Sequence, residues 1–285
     1  MTPRFGVTIS LQAGPGKDPA AEARHAEQLG FDFVSMWDHL PGEQASYETW
    51  TALSWMAART EKLGLVTNVL GLPYRSPAVL AKMAESLHRL SGGRLVLGLG
   101  AGGTDEEFRS LGLPVRTRRE KIDALEEALE VIHGLWTRPE PFSFEGRHYQ
   151  LRDALISPKP ETPIPIWLGT YGPRGLRLLG RRADGWIPSL PYAPPDTVPS
   201  RIETIRRAAK DAGRDPDDLT LAYNVGVKIG EGASSSRGIA GSPEEVAAAV
   251  GGFLEMGFST INFFLGGDRA AQRERLAGEI LPLLN

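Results

Sequence analysis

Apolar and polar positions along the chain form two patterns that alternate. Short apolar runs such as Phe5–Ile9 are typical of buried parallel strands, whereas Thr117–Trp136 places apolar residues three and four positions apart, as an amphipathic helix does. Eight strand patterns are separated by helical or loop segments. The predicted strands are Phe5–Ile9, Phe31–Met36, Leu63–Val69, Arg94–Leu99, Ile164–Leu168, Asp184–Pro188, Leu219–Ile229 and Thr260–Leu265.

This alternation leaves two topologies, a closed barrel or an open doubly wound sheet, and the count of eight favours the barrel. The chain has 285 residues and is 41% hydrophobic, and an α/β TIM barrel of about 250 residues would use nearly all of it. We therefore predict one (β/α)8 barrel domain over residues 1–285. Gly230–Ser242 forms a long insertion after strand seven that is rich in glycine and serine, and we expect it to be a mobile substrate lid.

Composition excludes several functional classes. A net charge of -3 gives no electrostatic case for binding nucleic acid or an anionic membrane. Without cysteine there is no disulfide, thiolate nucleophile or Cys-ligated zinc, and no spacing of histidines and carboxylates suggests a metal site. No segment approaches the roughly 18 apolar residues of a membrane span, and the first residues lack the apolar core of a signal peptide. We expect a cytoplasmic protein.

Two glycine-rich loops follow strands four and five. Gly98, Gly100 and Gly103 fit the dinucleotide pattern G-x-G-x-x-G, which requires a helix directly after the loop. The stretch after Gly103 is polar, and the next long helical pattern begins only near Thr117. We therefore interpret this loop and the second one, Gly169–Gly172, as ligand-binding edges of a barrel and not as a Rossmann turn.

Active sites of TIM barrels lie at the carboxyl ends of the strands, where this sequence places Asp38, His39 and Asn68 beside both glycine loops. Asp38 and His39 could merely cap the next segment. However, a histidine at a barrel mouth titrates near neutral pH, so we favour a functional pair. Asn68 fits a turn amide equally well.

The acidic run 105–107 is interpreted as a solvated helix start. The cluster Arg116, Arg118 and Arg119 either faces water or steers an anionic cofactor tail.

Three segments resemble the luciferase-like superfamily, and within it the oxidoreductases that use the deazaflavin coenzyme F420. They are WDHL (residues 37–40), TNVLGLPYRSPAVLAKMAESLHRLSGGRLVLGLGAGG (67–103) and GPRGLRLLGRRADGWIPS (172–189). The resemblance implies a luciferase-like barrel, F420 as cofactor, a homodimer, and an enzyme that transfers a hydride between F420 and a small organic substrate.

The resemblance also implies roles for particular residues. Asp38 and His39 match a pair that faces the deazaflavin ring, and we predict that both are catalytic. Asn68 and Val69 match a cis peptide without proline that backs the ring. The two glycine loops match backbone segments that approach the cofactor phosphate, which bare N–H groups suit. The predicted cofactor-binding residues are Asp38, His39, Asn68, Val69, Ala101, Gly102, Gly103, Thr170, Tyr171 and Gly172.

One departure from the family pattern bears on the substrate. Its glucose-6-phosphate dehydrogenases carry a catalytic glutamate just after the first glycine loop, where this chain has Gly103 and Thr104. Asp105 and Glu106 come one or two residues later, so that activity is not implied. Two other functions stay open. One is an FMN-dependent monooxygenase, against which the Asp38 and His39 pair argues, and the other is a flavin-binding barrel without catalysis.

Overall fold

The structure, a computed structural model, describes residues 2–230 and 238–284. The strands in this part of the chain are β1 (Arg4–Thr8), β2 (Phe33–Met36), β3 (Gly64–Thr67), β4 (Leu70–Gly71), β5 (Leu95–Gly100), β6 (Phe142–Glu145), β7 (Gln150–Ala154), β8 (Ile166–Leu168), β9 (Gly185–Trp186), β10 (Thr220–Ile229), β11 (Gly238–Gly241) and β12 (Thr260–Leu265). The α-helices are α1 (Pro19–Gln28), α2 (Thr49–Ala57), α3 (Pro77–Leu90), α4 (Asp105–Ser110), α5 (Arg118–Thr137), α6 (Pro173–Arg182), α7 (Val198–Asp211), α8 (Pro243–Glu255) and α9 (Arg269–Arg275).

Eight parallel strands close into a barrel. Hydrogen bonding runs in the order β1, β2, β3, β5, β8, β9, β10 and β12, and β12 pairs with β1 to complete the circle. Helices follow the strands and cover the outside, while β6 and β7 form a separate antiparallel hairpin after α5. The predicted (β/α)8 barrel is therefore confirmed, and the open sheet is excluded.

Side chains of the barrel strands divide between two faces, as the period of two requires. One set packs against the helices in a large apolar core. The other set fills the barrel interior in a smaller cluster: Phe33, Val66, Val96, Trp167, Ile187 and Ala222. Nearer the carboxyl ends the interior becomes polar, because Asn262 hydrogen bonds to Thr8, Ser35 and Asn224, and Asn224 in turn accepts from Asn68 at 2.7 Å. This polar layer forms the floor beneath the strand ends.

The acidic run 105–107 begins a helix, as predicted: the short helix α4 starts at Asp105, and the next long helix, α5, starts at Arg118. The closed barrel excludes a Rossmann fold. The last α-helix, α9, ends at Arg275 and continues as a π-helical turn, Leu276–Ile280, and a 3-10 turn, Leu281–Leu283.

The insertion after β10 is partly regular structure. Gly238–Gly241 forms β11, which pairs in parallel with β10, with Ile239 opposite Val227. That part of the predicted lid is therefore a strand and not a mobile loop. Residues 231–237 of the predicted lid lie outside the described residues. Between residues 2 and 230 and between 238 and 284, none of the helices is both long enough and apolar enough to span a bilayer.

Candidate active site

A cleft of about 850 Å³ opens at the carboxyl ends of the barrel strands. All ten residues predicted for the cofactor site line it: Asp38, His39, Asn68, Val69, Ala101, Gly102, Gly103, Thr170, Tyr171 and Gly172. Trp37, Glu107, Arg118, Tyr192 and Asn224 also line it. The fold thus brings together segments that are far apart in the sequence, because each follows a barrel strand.

Glycines in β5 let two backbone segments approach each other at the cleft wall. A Cβ atom at Gly98 would lie 1.8 Å from the Thr67 carbonyl oxygen, and one at Gly100 would lie 2.7 Å from a Val69 methyl group. Only glycine fits at these positions. The Asn68–Val69 bond is a cis peptide, as the family resemblance predicted. Val69 is therefore held against β5 at the inner wall of the cleft.

The two glycine loops leave bare backbone at the rim. A Cβ atom at Gly103 or Gly172 would meet no atom within 4 Å, and Gly102 has φ +93°, a conformation that favours glycine. Gly172 caps α6, whose first turn presents free N–H groups and a partial positive charge. These features fit a phosphate-bearing cofactor, since neither loop carries a side chain at these points that would block a phosphate.

Asp38 and its neighbour His39 bind different partners. The Asp38 carboxylate is fully buried and accepts two hydrogen bonds from Arg75, at 2.6 and 3.1 Å, and one from the Gly71 N–H at 3.0 Å. Arg75 also pairs with Glu48. Burial alone would lower the pKa of the Arg75 guanidinium, but Asp38 and then Glu48 raise it overall. The structure therefore gives Asp38 the role of joining the end of β2 to the turn after β4.

His39 instead contacts Glu107, the third residue of α4. Its Nδ1 lies 2.8 Å from Oε1 and 2.9 Å from Oε2 of that carboxylate. The histidine is 56% exposed in the cleft and the glutamate side chain is only 20% exposed. The interpretation of the run 105–107 as merely solvated was thus wrong for Glu107. The sequence held one signal for the position of Glu107. Only one face of such a short helix packs on the barrel, so helical periodicity separates the side chains that face the barrel from those that face water.

Aromatic side chains form the remaining walls. The Trp37 ring stacks on Phe264 with centroids 6.0 Å apart, and Tyr171 and Tyr192 pack at 5.5 Å. The Tyr171 hydroxyl accepts a hydrogen bond from the Ser189 N–H at 3.3 Å, and burial raises the pKa of Tyr171. This phenol therefore stays neutral at physiological pH, and the wall presents apolar faces to a ligand.

The predicted arginine cluster separates in the structure. Arg118, the first residue of α5, lines the cleft. Arg119 is largely exposed near Asp123, and Arg116 lies over the ring of Tyr149 at 5.6 Å. Of the three, only Arg118 is placed to meet an anionic ligand in the cleft.

Comparisons with known proteins agree with this geometry. The sequence profile of a family described as luciferase-like monooxygenase matches residues 2–237. An F420-dependent glucose-6-phosphate dehydrogenase of Nakamurella multipartita is 36% identical over 237 residues, which cover 80% of this chain and 69% of that protein. A phthiodiolone/phenolphthiodiolone dimycocerosates ketoreductase of Mycobacterium bovis is 38% identical over 197 residues, which cover 67% of this chain and 50% of that protein.

Among solved structures, an F420-dependent secondary alcohol dehydrogenase in complex with an F420-acetone adduct superposes with a TM-score of 0.89. The match covers 100% of both chains at 20% identity. At that identity the likeness shows a shared fold.

Proposed function

We propose that this chain, which belongs to the luciferase-like monooxygenase family, is an oxidoreductase that transfers a hydride between coenzyme F420 and a small alcohol or ketone. The observation that carries the proposal is His39, whose Nδ1 contacts Glu107 while its Nε2 has no partner among the described residues. A histidine so placed in a cleft can exchange a proton with a substrate oxygen. Names of the relatives support a carbon–oxygen bond as the reacting group, since they include a sugar phosphate dehydrogenase and a ketoreductase.

The cofactor would occupy the part of the cleft bounded by the two glycine loops. Backbone N–H groups near Gly102 and Gly172 would hold its phosphate, and Asn68 and Val69 would back its ring. Coenzyme F420 would supply the hydride chemistry when bound. Arg118 would meet its anionic tail.

The protein's own contribution to the reaction would be proton transfer at His39. In the oxidising direction the Nε2 lone pair would accept the proton of the substrate hydroxyl, and in the reducing direction the imidazolium would return it to the carbonyl oxygen. Glu107 would accept the Nδ1–H and stabilise the imidazolium while it exists. Assistance of this kind contributes about 10² to 10⁴ in rate.

Two measurements test the proposal. Titrating the purified protein separately with F420 and FMN distinguishes it from an FMN-dependent monooxygenase, because the two functions require opposite orders of affinity. His39→Asn retains much of the size of the side chain but cannot shuttle a proton. We expect kcat to fall by about 10²-fold or more while F420 affinity stays within a few-fold. Turnover close to that of the parent would show that His39 only forms part of the wall.

The expected homodimer has a candidate surface between α2 and α3. Val79 and Leu90 are 56% and 85% exposed and border an apolar groove of about 780 Å³ that is also lined by Trp50, Ala58 and Met83. A two-fold axis would place the leucine of each copy in the groove of the other. Light scattering should show a dimer for the parent and a monomer for Leu90→Glu. A monomeric parent would refute this pairing.

A cytoplasmic location and one domain over residues 1–285 stay predictions.

A further inference from the structure

Tyr74 touches the same carboxylate as His39. Its hydroxyl donates to Oε2 of Glu107 at 2.7 Å, and Nδ1 of His39 lies 2.8 Å from Oε1. Among the described residues Tyr74 does not line the cleft, and Glu107, which its hydroxyl touches, does. The three side chains come from three separate segments, the end of β2, the turn after β4 and helix α4.

The packing around Tyr74 makes it a rigid support. Its ring lies against Phe108, the neighbour of Glu107, with centroids 4.8 Å apart and a tilt of 59°. A Cβ atom at Gly71 would lie 2.8 Å from this ring, so the backbone also touches it closely. The next residue, Arg75, is bound by the buried Asp38. By contrast α4 has six residues, and a helix this short is not stable without tertiary contacts.

The hydroxyl of Tyr74 acts as a permanent donor. Burial, and then the hydrogen bond to Glu107, raise the pKa of Tyr74, so the phenol keeps its proton across the neutral range. An ionised carboxylate can only accept hydrogen bonds. Glu107 therefore requires a proton on Nδ1 of His39. The lone pair of a neutral imidazole is then on Nε2, which has no partner among the described residues.

We propose that Tyr74 is a positioning residue that holds Glu107 against His39 and thereby fixes the tautomer in which Nε2 acts as the base. The inference rests on the proposed function for its catalytic consequence, but the tautomer is a property of the protein without cofactor. It assigns a role to a side chain that lies behind the cleft, 35 positions from His39 in the sequence.

The first test uses imidazole ¹⁵N NMR of the cofactor-free protein at a pH where the imidazole is neutral. The variants are Tyr74→Phe, which keeps the ring and its packing, Glu107→Ala, and the double variant. Tyr149→Phe, which removes a hydroxyl in the β6–β7 hairpin outside the cleft, is the matched control. The chain has five histidines, and His39→Asn assigns the signal.

We expect the Nδ1–H tautomer to dominate in the parent and in Tyr149→Phe, and to lose at least about half of its population in Tyr74→Phe. The double variant should match Glu107→Ala, because Tyr74 acts only through that carboxylate. A parent in the Nε2–H tautomer, an unchanged Tyr74→Phe, or an effect of Tyr74→Phe that persists without Glu107 would each overturn the assignment.

The second test measures turnover with F420. Tyr74→Phe should lower kcat about tenfold, the usual order for a lost hydrogen bond to a charged group, with KM and F420 affinity within about twofold. An unchanged kcat together with an altered tautomer would overturn the catalytic part. If the parent itself shows no F420-linked turnover, the proposed function fails, whereas the NMR result still decides whether Tyr74 positions Glu107.

Discussion

Replacing Asp38 by asparagine should mainly destabilise the fold. The change preserves shape but removes a buried charge that accepts three hydrogen bonds, two of them from Arg75. The arginine side chain is only 11% exposed, so it cannot recover hydration without moving. The asparagine amide would direct donors at a guanidinium that has only donors. Glu48 remains as a partner of Arg75 and offsets part of the loss.

Removing one partner of a buried ion pair costs about 3 to 5 kcal/mol, and we place this change near 3 kcal/mol because Glu48 remains. Urea unfolding at pH 7 measures it as the difference in unfolding free energy from the parent. The double variant Asp38→Leu with Arg75→Met should recover most of the loss, since it removes both charges and leaves apolar volume. Turnover should also fall, because Asp38 positions the start of the loop that carries His39.

The result separates two roles for this residue. If Asp38 acted on the substrate or the cofactor, Asp38→Asn would abolish turnover with the unfolding free energy within about 1 kcal/mol of the parent. That outcome would refute the structural role of Asp38. A large loss of stability that the double variant does not restore would also contradict the ion-pair argument.

Further predictions concern packing, charge and the polar floor. Gly98→Ala should lower the unfolding free energy by about 2 kcal/mol or more, because its Cβ would lie 1.8 Å from the Thr67 oxygen. Gly103→Ala is the control and should change the unfolding free energy by under about 0.5 kcal/mol, while it weakens F420 binding in a titration. Equal losses of unfolding free energy in the two variants would contradict this argument. Burial raises the pKa of Glu85, but hydrogen bonds from two neighbouring cations lower it overall from its ordinary 4.5. Because the pKa of Glu85 is lower in the folded state, its ionised carboxylate stabilises the protein above pH 4.5, and this stabilisation is lost as the pH falls below that value. The difference in unfolding free energy between the parent and Glu85→Gln should therefore narrow under acid unfolding, and a constant difference would be evidence against this role of Glu85. Asn262→Leu should cost about 2 kcal/mol in the same urea assay, because buried polar partners lose a hydrogen bond, and a neutral result would show that water or rearrangement replaces it.

The eight barrel strands could be predicted because buried parallel strands read as continuous apolar runs whatever their partners are. Their interruptions could not. The predicted strand Leu63–Val69 ends at Thr67, before the cis Asn68–Val69 bond, and a second short strand, β4, follows that bond. The glycine-rich β11 was assigned to a loop, because an edge strand uses backbone hydrogen bonds that any sequence can supply.

The positions of the site residues could be predicted, but their pairings could not. Strand ends meet at one mouth, so ten predicted residues share one cleft. However, Glu107, the partner of His39, is 68 positions away in the sequence, and Arg75, the partner of Asp38, is 37 positions away. Asp38 and His39 were predicted as one functional pair, but neighbouring side chains on an extended segment point in opposite directions. That geometric rule was available from the sequence and would have separated the two residues.

The position of Glu107 bears on the choice of substrate. The glutamate expected from the resemblance to sugar phosphate dehydrogenases is missing at Gly103, but α4 places the carboxylate of Glu107 beside His39 one helical turn later. The absence at Gly103 therefore no longer weighs against any alcohol substrate. Charge in the cleft becomes the relevant feature, and Arg118 is the one lysine or arginine side chain among the described residues that line it. If the anionic tail of the cofactor binds Arg118, the described aromatic walls leave little positive charge to pair with the phosphate of a sugar phosphate. We therefore infer that a neutral alcohol or ketone suits this cleft better.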